Sequence, residues 1–192
     1  DRISVPIAPG VTYESIHRDG GPREIRVIRV RRAASEITID AAPAGGVVAG
    51  VERLSGIITR EEGRLPGRIV AATNADFFFM WGNPRAGLTL GPCISSGEVL
   101  AGSGTRFAFA MDAQGTPRIL EMHLRGKVSA GKTVFSIGGV NDVPEGDSLR
   151  VYTPRYGWPC LEAAVLVAVP GLPLTSQGQW QGTVREILPA EN

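Results

Sequence analysis

The sequence is poor in the residues that build the most recognisable protein sites. It contains two cysteines and two histidines in 192 residues, and aromatic residues make up 6% of the chain. No stretch reaches the roughly 18 uninterrupted apolar residues that a membrane-spanning helix needs. Cys93 and Cys160 could form one disulfide or remain two buried thiols, and both readings stay open. His17 and His123 each lack a partner at metal-ligand spacing, so the sequence predicts no metal site.

An excess of charge of one sign is also lacking. Twenty basic residues stand against nineteen acidic ones, for a formal net charge of +1, and 43% of the chain is hydrophobic. Such a balance excludes a charged disordered tail, and it offers no basic stripe for a phosphate backbone, so we predict no nucleic-acid partner. Twenty-five glycines and fourteen prolines favour short strands joined by turns over a helical bundle.

Hydrophobic periodicity predicts a mostly β chain. Alternation over Val11–Ile16 and Ile25–Val30, on either side of the turn residues Asp19–Pro22, indicates a hairpin. The one convincing helical pattern runs from about Val51 to Glu62 and stops at Gly63. Because no linker or repeat interrupts residues 1–192, we predict a single α+β domain, with a mostly antiparallel or mixed sheet and one main helix packed on it. Further strands are predicted at 37–40, 67–73, 87–90, 107–111, 118–124, 149–152, 163–169 and 182–187.

One segment matches the sequence of a phosphate-binding motif, but no helical pattern follows it. Gly126–Thr133 reads Gly-Lys-Val-Ser-Ala-Gly-Lys-Thr and fits the G-x-x-x-x-G-K-[ST] loop of nucleotide-binding proteins. That loop holds phosphates because a helix N-terminus follows it. Here Gly138, Gly139 and Pro144 follow instead, and they oppose a long helix. We therefore predict a turn between two strands, and no cofactor is selected by the sequence.

Two segments combine residue types that suit a binding site. In the first, the predicted strand over 67–73 ends at Asn74 and Asp76, and side chains at strand ends leave the core while their scaffold stays rigid. In the second, Asn141 is followed by Tyr152, Arg155 and Trp158, and rings beside amides and guanidinium groups are typical of carbohydrate clefts. The alternative is a pair of structural turns, with polar groups that cap the backbone and aromatic rings that fill the core.

Taken in order, these blocks resemble the phosphodiester glycosidase domain family. The similarity begins at Pro9–Tyr13 and includes Ala72–Phe78, where the family has an Asn-Gly-x-Phe-Phe-like pattern. It continues through Pro84–Leu88, Phe109–Gly115 and Val140–Asn141, and it ends at Tyr152–Gly157. Family domains are longer and carry an Asp-Gly-Gly-Gly-Ser loop in their C-terminal half. By this resemblance the chain corresponds to the N-terminal portion of such a domain.

The resemblance implies an extracytoplasmic hydrolase of a sugar-1-phosphodiester or related glycan. Asp76 and Asn74 would be the catalytic residues. Arg85, together with the second segment, would bind the substrate, and the arginines would offset phosphate charge. A second carboxylate for acid–base catalysis would come from a C-terminal half, in the same chain or as a separate one. Two alternatives remain: a non-catalytic carbohydrate- or cell-wall-binding module, and a structural half-domain whose apolar surface a partner covers.

Overall fold

A computed structural model describes residues 1–21, 23–31, 36–83, 85–103, 105–143 and 149–157, together with the strands at 165–168 and 186–189. In these residues the helix α1 spans Leu54–Glu62 and a short 3₁₀ turn spans Ala44–Gly46. The strands are β1 (Arg2–Ala8), β2 (Val11–Arg18), β3 (Arg23–Val30), β4 (Cys93–Ser95), β5 (Glu98–Ser103), β6 (Thr105–Met111), β7 (Pro117–His123), β8 (Gly126–Ala130), β9 (Thr133–Val140), β10 (Leu149–Val151), β11 (Val165–Ala168) and β12 (Glu186–Pro189).

The strands form two larger sheets and two separate hairpins. β1, β2 and β3 make an antiparallel meander, and β6–β7 and β11–β12 each pair only with one another. The largest sheet has the order β10-β9-β5-β4, and its fifth strand, β8, also pairs with β9. Among the strands that the structure describes, only β9 and β10 run parallel. The described residues are therefore mostly antiparallel β-structure with a single helix, which confirms the predicted α+β class.

The N-terminal meander surrounds one buried carboxylate. Glu14, in the central strand β2, is 4% exposed. Its carboxylate lies 2.9 Å from a guanidinium nitrogen of Arg2 and 3.1 Å from Nε of Arg29, so both neighbouring strands supply a cation. These bonds, led by that from Arg29, lower the pKa of Glu14 from its ordinary value of 4.5. The paired charge sets the register of the meander, because a slip would leave the carboxylate buried and unpaired.

The buried core lies against the largest sheet. It comprises Val48, Ala49, Leu88, Leu100, Ala101 and Tyr156, with Phe79, Cys93, Val143 and Tyr152 packed against it. Backbone bonds tie its loops together: Val48 N donates to Arg155 O at 2.7 Å and Ala49 N to Tyr156 O at 3.1 Å. Gly87, at φ +85°, permits a close approach, because a Cβ there would meet Gly50 N at 3.3 Å.

The helix α1 is linked to this core through charged side chains. Arg60, in its last turn, donates to Pro43 O at 2.7 Å and to Glu52 at 3.1 Å. A Cβ on Gly46 would lie 3.8 Å from Arg60 and 3.7 Å from Arg155, so two guanidinium groups meet at this turn. Arg155 in turn bonds Glu98 in β5. The helix is thus tied to the largest sheet by alternating charges across the 3₁₀ turn.

Several predicted elements are confirmed. The hairpin over Val11–Val30, the helix, and the strands near 107–111, 118–124, 149–152 and 163–169 are all present, and the strand predicted at 182–187 begins at Glu186. The motif at Gly126–Thr133 is the turn between β8 and β9, with Gly131 at φ +59°. No helix follows it, so the loop lacks the amides that hold phosphates.

Two predicted strands were wrong. Residues 37–40 and 67–73 form no strand, although both are rich in β-branched or small apolar residues. A strand needs a hydrogen-bonded neighbour, and in neither segment does the backbone join a ladder. Asp40 instead accepts bonds from the backbone N and the Oγ of Ser96, at 3.1 and 2.5 Å. At 87–90 the prediction reduces to an isolated bridge between Thr89 and Phe78.

Candidate functional site

Asp76 lies at the base of an irregular hairpin. Phe79 N donates to Leu88 O at 3.0 Å and Leu90 N to Phe77 O at 2.9 Å, which pairs the residues after Asp76 with those before β4. The carboxylate is exposed, and its Oδ1 accepts a bond from Phe77 N at 2.7 Å. Its Oδ2 lies 3.5 Å from the position that a Cβ on Gly91 would take. A glycine at position 91 therefore leaves one carboxylate oxygen open to an approaching group.

Asn74 is exposed two residues before Asp76, and the Oγ of Thr73 donates to its backbone oxygen at 3.3 Å. The sequence expected both side chains to emerge from the end of a buried strand. They lie instead on an irregular segment, and their support comes from Phe79 and Leu88, which pack in the core. The residues that anchor the Asp76 segment to the core therefore follow Asp76 in the sequence.

Arg85 closes the tip of this hairpin. Its backbone N donates to Asn83 Oδ1 at 2.8 Å. Its guanidinium carbon lies 5.5 Å from the centre of the Phe79 ring, within the range of a cation–π interaction. Phe79 thus contacts the core while Arg85 covers its ring. A positive charge is held near the hairpin that begins at Asp76.

Asn141 is buried at the end of β9. It is 1% exposed and adopts φ +49°, a left-handed conformation that asparagine tolerates better than most residues. Its Nδ2 donates to Leu100 O at 2.7 Å and to Thr153 Oγ1 at 2.8 Å, and its Oδ1 accepts from Thr153 N at 2.8 Å. Both ends of the amide are therefore engaged by the protein, and a ligand would have to compete with these bonds.

Tyr152 and Arg155 follow on the same loop. Tyr152 donates its hydroxyl to Asp142 O at 2.7 Å, and its ring lies 4.8 Å from that of Tyr156. Arg155 donates to Glu98 Oε2 at 3.2 Å and to Gly46 O at 2.8 Å. Both side chains are partly exposed, so each keeps a surface that could contact a ligand. Trp158, the last residue predicted in this segment, lies outside the described residues, as does Cys160.

The structure brings the two predicted segments onto one core. Phe79 and Leu88 from the Asp76 hairpin pack in the same cluster as Tyr152 and Tyr156. The sheet supplies the link: Cys93 in β4 pairs with Ala101 in β5, and β5 pairs with the end of β9 that precedes Asn141. Neighbouring strands lie about 4.8 Å apart, so β4 and the end of β9 are roughly 10 Å apart across the sheet.

Local sequence patterns did not indicate that Cys93 and Asp40 interact electrostatically near Asp76. Burial raises the pKa of the Cys93 thiol to about 11, and the negative charges of Asp76 and Asp40 add to the effect. Two carboxylates therefore surround one mostly buried thiol. Asp40 lies at the end of the predicted strand 37–40, and its bond to Ser96 joins residues 56 positions apart, which no local pattern could indicate. The raised pKa keeps Cys93 protonated and unreactive at neutral pH.

Glu98 was also missed. It is the partner that orients Arg155, and its only signal in the sequence was a place just after the turn Ser96–Gly97. Within the described ranges, no group of three or more His, Cys, Asp or Glu residues could hold a metal ion. In the same part of the chain, no helix is long and apolar enough to span a membrane.

Comparison with protein-family models, curated proteins and solved structures gives no match to this chain.

Proposed function

We propose that this chain forms the substrate-binding part of an extracytoplasmic hydrolase of the phosphodiester glycosidase type, which acts on a sugar-1-phosphodiester or a related glycan. The observation that carries the proposal is the packing of the Asp76 hairpin and the Asn141–Tyr156 segment on one buried cluster. The two segments that resemble the family thus share one support. A cleft enzyme needs this arrangement, because groups on a common rigid scaffold keep their distances through a reaction.

Asp76 is the best candidate for the reacting carboxylate. It is exposed, only its Oδ1 is bonded to a described backbone group, and Gly91 leaves room beside Oδ2. A carboxylate in this position can accept or deliver a proton, or contact an electron-deficient sugar carbon. Asn74 would donate its amide to the substrate from the same exposed segment.

The two arginines differ in what they can offer a phosphodiester. Arg155 already bonds Glu98 and Gly46 O, so its charge is largely matched inside the protein. Arg85 is partly exposed, and its guanidinium carbon lies 5.5 Å from the centre of the Phe79 ring, on the hairpin that begins at Asp76. We assign Arg85 to the phosphate, and we assign Arg155, with Tyr152, to the wall of the sugar site.

Completion by further protein is part of the proposal. Large hydrophobic side chains in the described strands are exposed, including Ile3 at 62%, Phe107 at 74% and Ile119 at 79%. Soluble proteins cover such surfaces, which supports a partner that packs on them. In the family that the sequence resembles, the C-terminal half of the domain would fill this place and bring the second carboxylate.

The test is turnover of a p-nitrophenyl sugar phosphodiester by the chain together with its C-terminal half. Asp76→Asn preserves the size and the hydrogen bond from Phe77 N but removes the charge. We expect a loss of about a hundredfold or more in kcat, as for removal of a general acid or base. Asp19→Asn is the matched control, because Asp19 is an exposed carboxylate in the turn between β2 and β3 and should leave turnover unchanged. Equal rates for the Asp76 variant and the wild type would contradict the role of Asp76.

A non-catalytic carbohydrate-binding module is the second candidate. The observation in its favour is a group of exposed rings beside Asp76, with Phe77 at 80% and Trp81 at 74% exposure. Rings in this position suit sugar binding whether or not a bond is cleaved. Binding of sugars without turnover, with the C-terminal half present, would favour this module over the hydrolase.

A further inference from the structure

The hairpin of β8 and β9 extends beyond the strands that pair with it. We call residues 127–136 the basic arm. Every residue in this range is exposed, whereas Ile137 and Gly138 are partly buried and Gly139 and Val140 are buried. The change coincides with the pairing, because among the described strands β5 and β10 join β9 only from Ile137 onward. The basic arm is therefore a two-stranded extension of the largest sheet, with exposed residues on both faces.

The basic arm has one apolar face and one mainly polar face. Val128 opposes Phe135 on the first face, and Lys127 and Ser129 alternate with Val128 and so lie on the second. Val128 is 39% exposed and Phe135 is 48% exposed, and opposed side chains in an antiparallel pair are neighbours. Val134 is an apolar exception on the second face. An amphipathic element of this kind suits a boundary between water and an apolar phase.

The charge of the basic arm is of one sign. Lys127 lies in β8, Lys132 lies in the turn, and Arg125 is exposed just before β8. Lys127 and Lys132 are the only lysines of the chain, and no acidic residue occurs in 122–141. The whole chain has a formal net charge of +1, so the arm is a local concentration of positive charge. Two copies of the arm would repel each other, and charge complementarity requires an anionic partner.

An anionic lipid surface fits the basic arm better than a nucleic acid or an acidic protein does. A nucleic-acid backbone would pair with the cations but would leave Val128 and Phe135 in water. An acidic protein is usually recognised in a groove, and an arm that is exposed on both faces offers none. A bilayer provides both kinds of contact: its acyl boundary accepts the apolar pair, and its phosphates accept lysines whose long stems reach the headgroups.

We propose that the basic arm binds the surface of an anionic lipid bilayer, with Val128 and Phe135 at the acyl boundary and Lys127 and Lys132 on the headgroup phosphates. These lysines belong to the segment that matches a phosphate-binding motif but lacks the helix that would hold a nucleotide. The inference is independent of the proposed hydrolase, because no residue of the arm belongs to the candidate site. Binding is weak and reversible, since few apolar groups contribute to it.

The test is sedimentation of the chain with vesicles of phosphatidylcholine alone or mixed equally with phosphatidylglycerol. We expect binding to the mixed vesicles only, and its loss at about 1 M salt, where the screening length is about 3 Å. Lys127→Gln combined with Lys132→Gln should lower the partition coefficient by about thirtyfold, the equivalent of about 1 kcal/mol for each basic residue. Phe135→Ser should lower it by about tenfold, as expected for a half-exposed ring that leaves water.

The matched control is Arg18→Gln combined with Arg23→Gln. These exposed arginines oppose each other in the β2–β3 hairpin, so their loss changes the net charge equally at another place. This variant should bind as the wild type does. Lys127→Arg combined with Lys132→Arg keeps the charge of the basic arm and should also bind normally.

No sedimentation of the wild type with the mixed vesicles at low salt would overturn the proposal. Equal binding by the lysine-to-glutamine variant and the wild type would do the same. An equal loss in the arginine control would mean that net charge, and not the basic arm, governs binding. Lysine-dependent binding to polyglutamate or to a DNA duplex in place of vesicles would contradict the lipid assignment. Because no measurement here involves turnover, the proposed hydrolase can fail separately.

Discussion

Strand β5 of the largest sheet and the β6–β7 hairpin both carry large apolar side chains, but these side chains lie in opposite environments. Leu100 in β5 is 0% exposed and Ala101 is 5% exposed. In the hairpin, the directly opposed residues Phe109 and Ile119 are 62% and 79% exposed. β5 and β6 each contain a run of apolar residues, at Val99–Ala101 and Phe107–Met111, so the sequence alone would assign both strands to a core. The difference lies in what covers them.

In the largest sheet a second layer is supplied by loops. Residues Val48 and Ala49 and the ring of Tyr156 pack over β5, joined by backbone bonds between the two loops. The hairpin has no such cover among the described residues, and a two-stranded unit alone is marginal in water. Whether a strand of this protein is buried therefore depends on segments, distant in the sequence, that pack on it. The strand itself contributes only an apolar face.

The largest effect is expected from truncating one residue in each region, which tests the difference in burial directly. Leu100→Ala should lower the free energy of unfolding by about 3 kcal/mol, since it removes buried contacts and leaves a cavity. Ile119→Ala should change it by no more than about 0.5 kcal/mol, because that side chain is already in solvent. Urea denaturation of the two variants measures both effects. Similar losses would mean that the hairpin face is covered in solution.

A second, smaller effect should come from a polar group that only the covered region contains. Asn141→Ala removes the acceptor of Thr153 N and the donor to Leu100 O, both in a buried site. We expect a loss of about 2 kcal/mol in the free energy of unfolding, the cost of unsatisfied buried groups.

Two controls separate the causes of that loss. Asn141→Gly keeps the left-handed backbone easy to adopt but also lacks the amide, so it should lose nearly as much as the alanine variant. Asn74→Ala, at an exposed position, should lose almost nothing. If Asn141→Gly were as stable as the wild type, the conformation and not the hydrogen bonds would carry the effect.

The sequence predicted the class of the fold and the elements with the clearest local signals. The alternation in Val11–Ile16 and Ile25–Val30 and the helical spacing from Val51 were sufficient, because each depends on neighbours in the chain. β4 and β5 were missed, although they carry the core. They are short and are separated only by the turn at Ser96–Gly97. β5 also pairs with β9, whose partner residues lie 36 and 38 positions away in the sequence.

The sequence predicted which residues belong to the candidate site better than it predicted their contacts. Asp76 and Arg85 were found because unusual residue types follow one another in the chain. Glu98 and Asp40 were not, since each acts through a partner more than 50 residues away. Asn141 was found for its residue type, but its buried amide bonds the protein on both sides. Local patterns indicate which residues are unusual, and tertiary contacts decide whether their polar groups remain available.

The smallest expected effect concerns the turn of the β6–β7 hairpin. With little burial, β6–β7 depends on its turn, where Asp112 accepts bonds from Gln114 N at 3.0 Å and Thr116 N at 2.8 Å and lies 3.4 Å from Arg118 Nε. Asp112→Ala should speed hydrogen exchange of the β6–β7 amides several-fold while the urea midpoint stays unchanged, because the core does not depend on this turn.

The acid response of the same carboxylate provides an independent check. The bonds from Thr116 N, and then those from Gln114 N and Arg118, lower the pKa of Asp112 from its ordinary value of 3.8. A lowered pKa in the folded turn means that the stabilisation is present above pH 3.8 and is lost as the pH falls below that value towards the folded pKa. Exchange in the hairpin, corrected for intrinsic rates, should therefore accelerate in acid for the wild type and not for Asp112→Ala. A hairpin that keeps its protection in both variants and in acid would need a stabilising cover, and the contrast with the largest sheet would no longer hold.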